Sequence, residues 1–585
     1  MQAAPRLVAP PAAADTYAAV RALVDGLARA GLREVCIAPG ARSTPLALVM
    51  AHDPRLRAWS HLDERSAAFF ALGLARAGGT PAAVLCTSGT AAANLLPAAV
   101  EARHGRVPLL LLTADRPPEL RDCGAFQAID QIKLFGGFAK WSCEVGEPSA
   151  GLAYFRALGQ RAVATAAAAP AGAVHLNLPL REPLTPPDAT AVRADGATPT
   201  PRAVARPAVR LPAATDLAGL ADRLAATPRG VVVCGPLDAD AETRIAVGGL
   251  ATRLGWPLFA DATAQLRDGD HDRRAVVAGY DALLRDPAVA TRLDAELVLR
   301  LGPLPISKAL LHWLRGRSQV VIDPGDGWDD PLHAAELLLH ADVGPLCAAL
   351  AARLPRRPDR VWLDAWRRAD RRAAAALRRA LARPRPLFEG HVVGALAERL
   401  PDGATLVVGN SMATRDLDTF WRGGRRRVRV LCNRGANGID GFVSTVLGVA
   451  AASPGPTVAL TGDLGFLHDL GGLLAARRHA LRATFVVCNN DGGGIFSYLP
   501  QADGSAAFDT FFRTPHGLDL RGGVEMYGVG FARVGCIAAL PAALDAALRS
   551  PRCEVIEVPI DLDASVTAHR GLWAAAGAAA REALP

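Results

Sequence analysis

Two segments of the chain place oxygen ligands directly after apolar stretches that are typical of buried strands. One stretch ends at Gly462 and Asp463, and a second ends at Asn489 and Asn490. Magnesium prefers an octahedron of oxygen ligands, and it usually keeps waters while it bridges substrate phosphates. The Asp463 carboxylate, the Asn490 amide oxygen and the Gly492 carbonyl would supply part of that octahedron. The sequence therefore predicts a metal site that also contacts a diphosphate group.

The glycines beside these ligands support the same interpretation. Gly492 and Gly493 have no side chain, so the backbone there can approach a phosphate closely. A single Gly-Asp or Asn-Asn pair is usually only a turn, but two pairs at strand ends, separated by one crossover, are much more specific. They resemble the Gly-Asp-Gly…Asn-Asn fingerprint of the thiamine-diphosphate enzyme superfamily, with Leu464 in place of the last glycine. The resemblance implies thiamine diphosphate as cofactor and Mg²⁺, or Mn²⁺ in its place, as the metal.

A glutamate in the first third of the chain is the candidate proton relay for that cofactor. Glu64 lies in the first turn of a predicted helix that follows a predicted strand. An acid at a helix N-terminus often serves only to stabilise the helix dipole. Beside the segment Thr87-Ser88-Gly89 and the metal motif, however, Glu64 is the best candidate for the acid that the pyrimidine ring needs. In the superfamily this acid usually comes from a different subunit than the metal site, so we expect at least a homodimer, with a homotetramer also open.

The chain is too long for one hydrophobic core, because single domains rarely exceed about 250 residues. Two segments rich in Pro and Ala, at 183–212 and 354–386, are predicted linkers. They predict a pyrimidine-binding domain at 1–185, a central domain at 210–355 and a diphosphate- and magnesium-binding domain at 386–585. Each alternates apolar strands with helical stretches, which predicts α/β domains with doubly wound parallel sheets. The predicted strands are 34–38, 56–60, 82–86, 109–113, 174–178, 230–234, 297–301, 319–322, 405–408, 428–432, 457–461, 484–489 and 553–558.

Composition excludes several other classes of protein. Half of the residues are apolar and 21% are charged, which indicates a globular protein. The net charge of +8 does not indicate nucleic-acid binding, because the Arg-rich stretch 355–386 has Trp, Leu and Ala at helical spacing and no interleaved aromatic platform. We interpret that stretch as a solvated helix face.

The cysteines and apolar runs predict a cytoplasmic protein without a membrane anchor. Ten cysteines are scattered singly with no Cys-x-x-Cys pair, which suits reduced thiols and argues against zinc. The longest uncharged runs are broken by Gly and Pro turns, and the first residues have no apolar core of the signal-peptide type. We therefore expect no membrane insertion.

Three further segments sharpen the resemblance to one family. They are residues 38–45 with the following Asp63-Glu64-Arg65, residues 112–129, and residues 433–441. All resemble the 2-succinyl-5-enolpyruvyl-6-hydroxy-3-cyclohexene-1-carboxylate synthase family of menaquinone biosynthesis. The resemblance implies a transferase, a carboligase that decarboxylates 2-oxoglutarate and adds the succinyl carbanion to isochorismate. It covers the first and last domains almost completely and is thinner in the central one.

The same resemblance implies a role for each site residue. Glu64 would be the catalytic acid, and Ile439 the bulky residue that bends the cofactor. Other predicted cofactor contacts are Thr87, Ser88, Gly89, Asp463, Leu464, Asn490, Gly492, Gly493, Ile495 and Phe496. Predicted substrate contacts are Arg42, Arg116, Gln127, Lys308, Ser411, Arg415 and Arg434. The chain departs from the family pattern at Ala41, Phe126 and Ala309, which leaves the side-chain contacts at these positions open.

The sequence is also compared with the patterns of three other classes of protein, none of which fits it as well. Another thiamine-diphosphate carboligase or decarboxylase, such as an acetolactate-synthase-like enzyme, would be favoured by a flavin-binding central domain, but the central segment offers no complete Gly-x-Gly-x-x-Gly loop. A catalytically dead binding protein on this scaffold would be expected to lose Glu64 or a metal ligand. A nicotinamide-dependent dehydrogenase lacks its phosphate fingerprint after an N-terminal strand.

Overall fold

The computed structural model describes residues 13–193, 205, 208–357, 360–383, 385–503 and 507–584. The chain forms two compact units. Unit 1 consists of residues 1–207, 433–453 and 469–481, and unit 2 of residues 208–432, 454–468 and 482–585. The chain therefore leaves unit 2 twice and returns to it twice, and the second return begins its last segment.

Unit 1 contains a six-stranded parallel sheet in the order β2-β1-β3-β4-β6-β5. Its central strands are completely buried, so they carry almost continuous apolar runs, as expected for a parallel sheet covered on both faces. The strands are β1 Glu34–Ile37, β2 Arg57–Ser60, β3 Ala82–Cys86, β4 Leu109–Asp115, β5 Ala139–Glu144 and β6 Ala173–Pro179. The helices are α1 Ala13–Ala30, α2 Thr44–His52, α3 Glu64–Gly78, α4 Thr90–Ala93, α5 Leu96–His104 and α6 Leu152–Ala167.

Unit 2 contains two further parallel sheets, and the first has the order β11-β10-β9-β7-β8. The strand order reverses between β7 and β9, which is where a ligand crevice opens in folds of this type. The strands are β7 Gly230–Cys234, β8 Leu258–Ala260, β9 Leu297–Leu301, β10 Gln319–Asp323 and β11 Ala335–His340. The helices are α7 Ala214–Ala226, α8 Ala241–Leu254, α9 Tyr280–Leu284, α10 Pro287–Arg292, α11 Lys308–Leu314, α12 Val343–Arg353 and α13 Val361–Leu381.

The second sheet of unit 2 has the order β13-β12-β14-β15-β17-β16, again all parallel. Its strands are β12 Thr405–Val408, β13 Arg429–Leu431, β14 Thr457–Gly462, β15 Thr484–Asn489, β16 Gly530–Arg533 and β17 Glu554–Pro559. The remaining helices are α14 Glu389–Arg399, α15 Met412–Phe420, α16 Phe442–Ala452, α17 Asp463–His468, α18 Leu473–Arg478, α19 Leu520–Glu525, α20 Leu540–Arg549 and α21 Leu562–Glu582. Helices α16 and α18 belong to unit 1.

The predicted α/β class with three parallel sheets is confirmed. Every predicted strand lies on a strand of the structure, and four strands were missed: β5, β8, β11 and β16. All four lie at the outer edge of their sheets. Strands β5, β11 and β16 are only partly buried, and β8 has three residues, so none shows the long apolar run that the interpretation relied on.

The predicted linker at 354–386 was wrong over most of its length, because α13 occupies it. The interpretation of this stretch as a solvated helix face is confirmed. Leu363, Trp366 and Leu377 of α13 are buried. Its exposed side includes Arg368, Arg371, Arg372, Arg378 and Arg379. The other predicted linker, 183–212, lies largely outside the described residues. None of the described helices is long and apolar enough to cross a membrane.

Helices α3 and α16 pack against each other in unit 1 with unusually close backbones. A Cβ atom added to Gly73 of α3 would lie 2.2 Å from the carbonyl oxygen of Thr445. A Cβ atom added to Gly448 of α16 would lie 2.1 Å from the carbonyl oxygen of Phe70. Both glycines are therefore required by the contact, which fixes the helix that begins at Glu64.

Replacing Gly73 by alanine should destabilise the protein. The added methyl group has to displace backbone, so Gly73→Ala is expected to lower the free energy of unfolding by about 1–3 kcal/mol. Gly78→Ala on the same helix is the matched control, because a Cβ atom there would lie 3.6 Å from its nearest neighbour, the Thr80 hydroxyl. Thermal and denaturant unfolding measure both variants. Equal destabilisation by the two substitutions would contradict this account of the contact.

Candidate active site

The carboxylate of Asp463 is the centre of the candidate metal site in unit 2. Asp463 follows β14 directly and is 1% exposed. Its Oδ1 accepts a hydrogen bond of 2.6 Å from the amide of Leu464, and its Oδ2 accepts one of 2.9 Å from the amide of Gly492. Burial raises the pKa of the Asp463 carboxyl, although these hydrogen bonds act in the opposite direction. A cation at this position would favour the ionised carboxylate.

Asn490 presents the second predicted ligand atom. Its Oδ1 is buried and makes no hydrogen bond, which is unusual, because buried polar atoms are nearly always paired. The glycines that follow are sterically required: a Cβ atom at Gly494 would lie 2.4 Å from Nδ2 of Asn490, and one at Gly492, where φ is 135°, would lie 2.2 Å from the carbonyl oxygen of Arg513. A buried carboxylate and an unpaired amide oxygen fit a hard divalent cation.

The predicted ligand set contains a single carboxylate. Among the described residues there is no group of three or more His, Cys, Asp or Glu side chains that could hold a metal ion. The predicted site instead takes an amide oxygen and a backbone carbonyl, and leaves the rest to phosphate and water.

A segment that the sequence analysis overlooked covers the glycine loop. The amide of Gly493 donates a 2.6 Å hydrogen bond to the carbonyl of Arg513. Asp491 accepts hydrogen bonds from the amides of His516, at 3.0 Å, and Gly517, at 2.7 Å. Nε2 of His516 lies 3.4 Å from Oδ2 of Asp463. No spacing rule links His516 to Asp463, so only the folded structure reveals it.

The predicted pocket residues Ile495 and Phe496 continue from this loop into a 3₁₀ turn, Gly494–Tyr498. Both are half-buried. The Phe496 ring lies 5.8 Å from that of Phe512, between centroids, in a T-shaped contact. The turn therefore holds two large apolar side chains directly after the candidate metal ligands.

Ser411 and Arg415 follow the end of β12, which pairs with β14 in the same sheet. Ser411 has a φ of 68° and a ψ of −131°, a strained conformation for a residue with a side chain. A Cβ atom at Gly409 would lie 2.6 Å from the Thr461 hydroxyl, so the two strand ends approach closely. The Arg415 guanidinium donates a 2.6 Å hydrogen bond to the carbonyl of Ser411. Helix α15 thus begins at the carboxyl edge of the sheet that carries Asp463.

Unit 1 gathers another group of predicted residues at the carboxyl edge of its sheet. Ser88 and Gly89 follow β3 and are buried. The side-chain amide of Gln127 donates a 2.9 Å hydrogen bond to the carbonyl of Ser88. Gln131, which the sequence analysis missed, accepts a 2.9 Å hydrogen bond from the amide of Gly89. A Cβ atom at Gly40 would lie 2.2 Å from the Thr87 side chain, so the loops after β1 and β3 pack tightly.

Two arginines lie at the same edge of the sheet. Arg42 is 7% exposed and donates a 2.9 Å hydrogen bond to the carbonyl of Leu180. Burial lowers the pKa of Arg42, and the positive charge of Arg116 contributes to the shift. Arg116 donates a 3.0 Å hydrogen bond from Nε to the carbonyl of Phe126. The structure therefore brings Arg42, Arg116, Gln127 and the turn after β3 together, and their assignment to the substrate stays a prediction.

Glu64 is the first residue of α3 and is half-buried. Asp63 caps the helix by accepting the amide of Ser66 at 3.1 Å. Burial raises the pKa of the Cys86 thiol, and the negative charge of Glu64 adds to the effect. Glu64 therefore lies near the end of β3, from which the turn at Thr87 begins. The catalytic role of Glu64 stays a prediction.

The loop that holds Arg434 and Ile439 is fixed in unit 1 by Glu101 of α5. The Glu101 carboxylate accepts hydrogen bonds from the amides of Gly435, at 2.9 Å, and Ala436, at 2.7 Å. Both Arg434 and Ile439 are half-buried. The sequence predicts that this loop belongs with residues 386–585, whereas its contacts group residues 433–453 with unit 1. Glu101 carries no sequence signal, since an acid on a helix is usually exposed.

Lys308 stands apart from the other predicted residues. It is exposed and begins α11, where Ser307 caps the helix by accepting the amide of Leu310 at 3.1 Å. No hydrogen bond between described residues joins Lys308 to the others of the predicted set. Its assignment to the substrate stays a prediction.

The chain is similar to thiamine-dependent enzymes over most of its length. Three family profiles match: the thiamine pyrophosphate enzyme N-terminal TPP binding domain at residues 18–134, the middle domain of thiamine pyrophosphate enzymes at 221–408, and the C-terminal TPP binding domain at 424–558. These matches show that the chain has the domains of a thiamine-diphosphate enzyme.

Curated relatives with one shared name align with nearly the whole chain. The 2-succinyl-5-enolpyruvyl-6-hydroxy-3-cyclohexene-1-carboxylate synthase of Geobacillus kaustophilus is 48% identical, over 96% of this chain and 97% of its own length. The synthase of the same name from Chloroflexus aurantiacus is 46% identical, over 95% of each chain. That of Bacillus velezensis is 40% identical, over 95% of this chain and 97% of its own.

Asp463→Asn should separate metal binding from folding. Loss of the charge is expected to weaken magnesium-dependent binding of thiamine diphosphate at least about 100-fold, since even outer-shell partners of a metal contribute about 10–100-fold. Calorimetric titration with and without EDTA measures the effect. Asp491→Asn is the matched control, because it removes a nearby charge that accepts backbone amides and lies 3.6 Å from His516 but is not a predicted metal ligand. Binding by the Asp463 variant that equals wild type would refute the metal assignment.

Proposed function

The chain belongs to the 2-succinyl-5-enolpyruvyl-6-hydroxy-3-cyclohexene-1-carboxylate synthase family of thiamine-diphosphate enzymes, and on that basis we propose that it decarboxylates 2-oxoglutarate and joins the remaining succinyl group to isochorismate. The observation that carries the proposal is that relatives of this name align with almost the entire chain. The product would be the compound for which the family is named, an intermediate of menaquinone biosynthesis. Release of carbon dioxide from 2-oxoglutarate, measured with and without isochorismate, tests the activity directly.

The proposed metal is Mg²⁺, with Mn²⁺ as an alternative, held by Asp463, Asn490 and the carbonyl of Gly492. The unpaired Oδ1 of Asn490 and the buried Asp463 carboxylate support this assignment. Leu464, Gly493, Ile495 and Phe496 would line the cofactor site beside them. When bound, thiamine diphosphate supplies the electron sink that decarboxylation of a 2-oxoacid requires.

Glu64 would exchange a proton with the pyrimidine nitrogen opposite the amino group. Its place at the start of α3 and near Cys86 supports a role beside the turn at Thr87, Ser88 and Gly89. Ile439 would press on the cofactor from the loop that Glu101 holds.

Charge matching supports a pocket for acidic substrates. Both substrates are dicarboxylates, and burying their anions without partners would cost several kcal/mol each. The cations proposed to meet them are Arg42, Arg116, Lys308, Arg415 and Arg434. We assign Ser411 and Arg415 to the distal carboxylate of the succinyl group, since both lie at the edge that carries Asp463. Arg42, Arg116 and Gln127, which lie together in unit 1, would orient isochorismate.

The smallest assembly we propose is a homodimer, and a homotetramer remains compatible with the sequence. Large apolar side chains are exposed beside the proposed site residues of unit 1: Leu62 is 67% exposed and Phe126 is 92% exposed. Exposed apolar groups of this size are typical of surfaces that contact another chain. A cytoplasmic location is supported by the ten cysteines, none of which forms a disulfide within the described residues.

The competing acetolactate-synthase-like activity is less well supported by the central sheet. A flavin or nucleotide would enter the crevice between β7 and β9. A Cβ atom at Gly235, after β7, would lie 1.7 Å from the carbonyl oxygen of Pro303, after β9. The two loops therefore close the crevice against each other. A catalytically dead scaffold is disfavoured because Glu64, Asp463 and Asn490 are all present.

Glu64→Gln keeps the size of the side chain but prevents proton exchange. Turnover should fall about 10²–10⁴-fold, which is typical for loss of a general acid–base group, whereas cofactor binding should largely survive. Exchange of the C2 proton of bound thiamine diphosphate, followed by NMR, isolates the step. Asp63→Asn is the matched control, since asparagine also caps helices. If both variants exchange the proton as fast as wild type, Glu64 only stabilises the helix.

Arg415→Met and Arg42→Met test whether the two arginines bind different substrates. Arg415→Met should weaken the use of 2-oxoglutarate by roughly 2–5 kcal/mol if the charge pair is buried, with little effect on isochorismate. Arg42→Met should show the opposite preference. Steady-state kinetics with each substrate varied in turn distinguish the two. Equal damage to both substrates in each variant would overturn the assignment.

A further inference from the structure

His569 of α21 is a completely buried imidazole in unit 2, and both of its nitrogens have acceptors. Nδ1 lies 2.9 Å from the carbonyl oxygen of Ser565, and Nε2 lies 3.0 Å from Oδ1 of Asp416. A carbonyl oxygen can only accept a hydrogen bond, so the contact with Ser565 puts a proton on Nδ1, and the nearby Tyr498 and Ser565 hydroxyls then act as donors elsewhere or as acceptors. An ionised carboxylate also only accepts, so Nε2 carries the second proton. With both of these bonds made, the ring is a positively charged imidazolium.

The surroundings of the ring suit a cation. Four aromatic rings lie around it, with centroid distances of 5.2 Å to Phe388, 5.7 Å to Phe420, 5.8 Å to Tyr498 and 5.5 Å to Trp573. Aromatic rings attract cations within about 6 Å of their centroids, most strongly when the cation is removed from water and lies over the ring face. A neutral imidazole would gain less from this enclosure.

The polar groups around His569 come from four elements. Asp416 belongs to α15, Glu389 to α14, Tyr498 to the 3₁₀ turn and Ser565 to α21. The Ser565 hydroxyl donates a 2.5 Å hydrogen bond to Glu389, and the Tyr498 hydroxyl lies 3.0 Å from Nδ1. Burial alone would lower the pKa of His569, but the hydrogen bond and charge of Asp416, with the charge of Glu389, raise it above its ordinary value.

This cluster joins the two parts of the proposed site in unit 2. Asp416 is the neighbour of Arg415 on α15, the helix that starts after Ser411. Tyr498 ends the 3₁₀ turn that begins at Gly494, directly after the proposed metal ligands. An ion pair between Asp416 and His569, with Tyr498 against the same ring, therefore fixes the orientation of α15 relative to the glycine loop.

From this juxtaposition we infer that His569 is a positioning residue: a buried imidazolium that holds α15, and with it Ser411 and Arg415, in place for the distal carboxylate of the 2-oxoacid. Its link to that carboxylate rests on the proposed function. The charged state and the structural coupling to Asp416 rest only on the contacts of His569.

His391 of α14 provides an internal contrast in the same aromatic neighbourhood. Its ring lies 4.7 Å from that of Phe388. The amide of Phe388 donates to Nδ1 at 3.3 Å, so Nδ1 of His391 is an acceptor without a proton. Nε2 lies 3.3 Å from the carbonyl of Leu381 and is the donor. His391 is therefore neutral, and its pKa is lowered by burial.

The kinetic test uses His569→Gln, which is neutral, with His391→Gln as the matched control. His569→Gln should raise the KM for 2-oxoglutarate by about 10–100-fold, since a displacement of about 1 Å far from the reacting atoms can cost that much. The KM for isochorismate and the binding of thiamine diphosphate should stay within about twofold of wild type. An equal loss for both substrates, or no loss for either, would overturn the positioning role.

A second variant covers the case in which His569→Gln is too unstable to assay. Removing one member of a buried ion pair leaves the other charge unpaired, whereas removing both members relieves that cost. Asp416→Asn combined with His569→Gln should therefore recover most of the melting temperature that either single variant loses. Additive losses in the double variant would show that the two side chains are not an ion pair.

NMR of the wild-type protein tests the charge independently of any activity. With histidine labelled at Cε1, the His569 signal should stay at the imidazolium position at about pH 8, well above the ordinary histidine pKa of roughly 6.5. The His391 signal should be that of a neutral ring at the same pH. A neutral His569 would refute the inference. If 2-oxoglutarate is not a substrate but His569 is charged, then only the proposed function has failed.

Discussion

The Asp463 carboxylate is almost completely removed from water, and the surrounding structure follows from the cost of burying it. An isolated charge is too costly in such a place, and two backbone amides therefore donate to the carboxylate. Asn490, whose amide oxygen is the second predicted metal ligand, is two residues before Gly492 in the chain. The amide of Gly492 reaches the carboxylate in a loop with glycines at 492–494, where a Cβ atom at Gly492 would collide with Arg513 and one at Gly494 with Asn490. The glycines of this loop are thus required by the packing around one buried carboxylate.

Buried polar groups are also paired with one another elsewhere in both units. In unit 1, Gln131 satisfies the amide of Gly89, and it donates in turn to the carbonyl of Ala114 and to Asn177. In unit 2, Asp418 of α15 receives the hydroxyl of Tyr280 at 3.0 Å and pairs with the buried Arg267. Helix α15 is therefore held through successive acidic residues, each by a partner on a different element. Polar networks of this kind specify one arrangement because a partly satisfied network is costly.

The sequence alone predicted those features that depend on local pattern. Central strands such as β4 and β15 are buried on both faces and show as apolar runs, and Asp463 and Asn490 follow such runs directly. Edge strands such as β5 face water on one side and show no run. His516, Gln131 and Glu101 could not be found because each acts on a residue far away in sequence. The grouping of residues 433–453 with unit 1 was also inaccessible, since it depends on the contact between α3 and α16.

Unit 1 is assembled from three separate stretches of chain, the last of which ends at residue 481. During synthesis its first 207 residues emerge long before α16 and α18 exist. At ribosomal rates of about 5–20 residues per second, they wait on the order of tens of seconds for the helices that complete their core. Through that interval the face of α3 that α16 will cover is open to other chains. The interleaved connectivity therefore leaves this helix face uncovered on the nascent chain, and transiently exposed apolar surface of this kind is prone to aggregation.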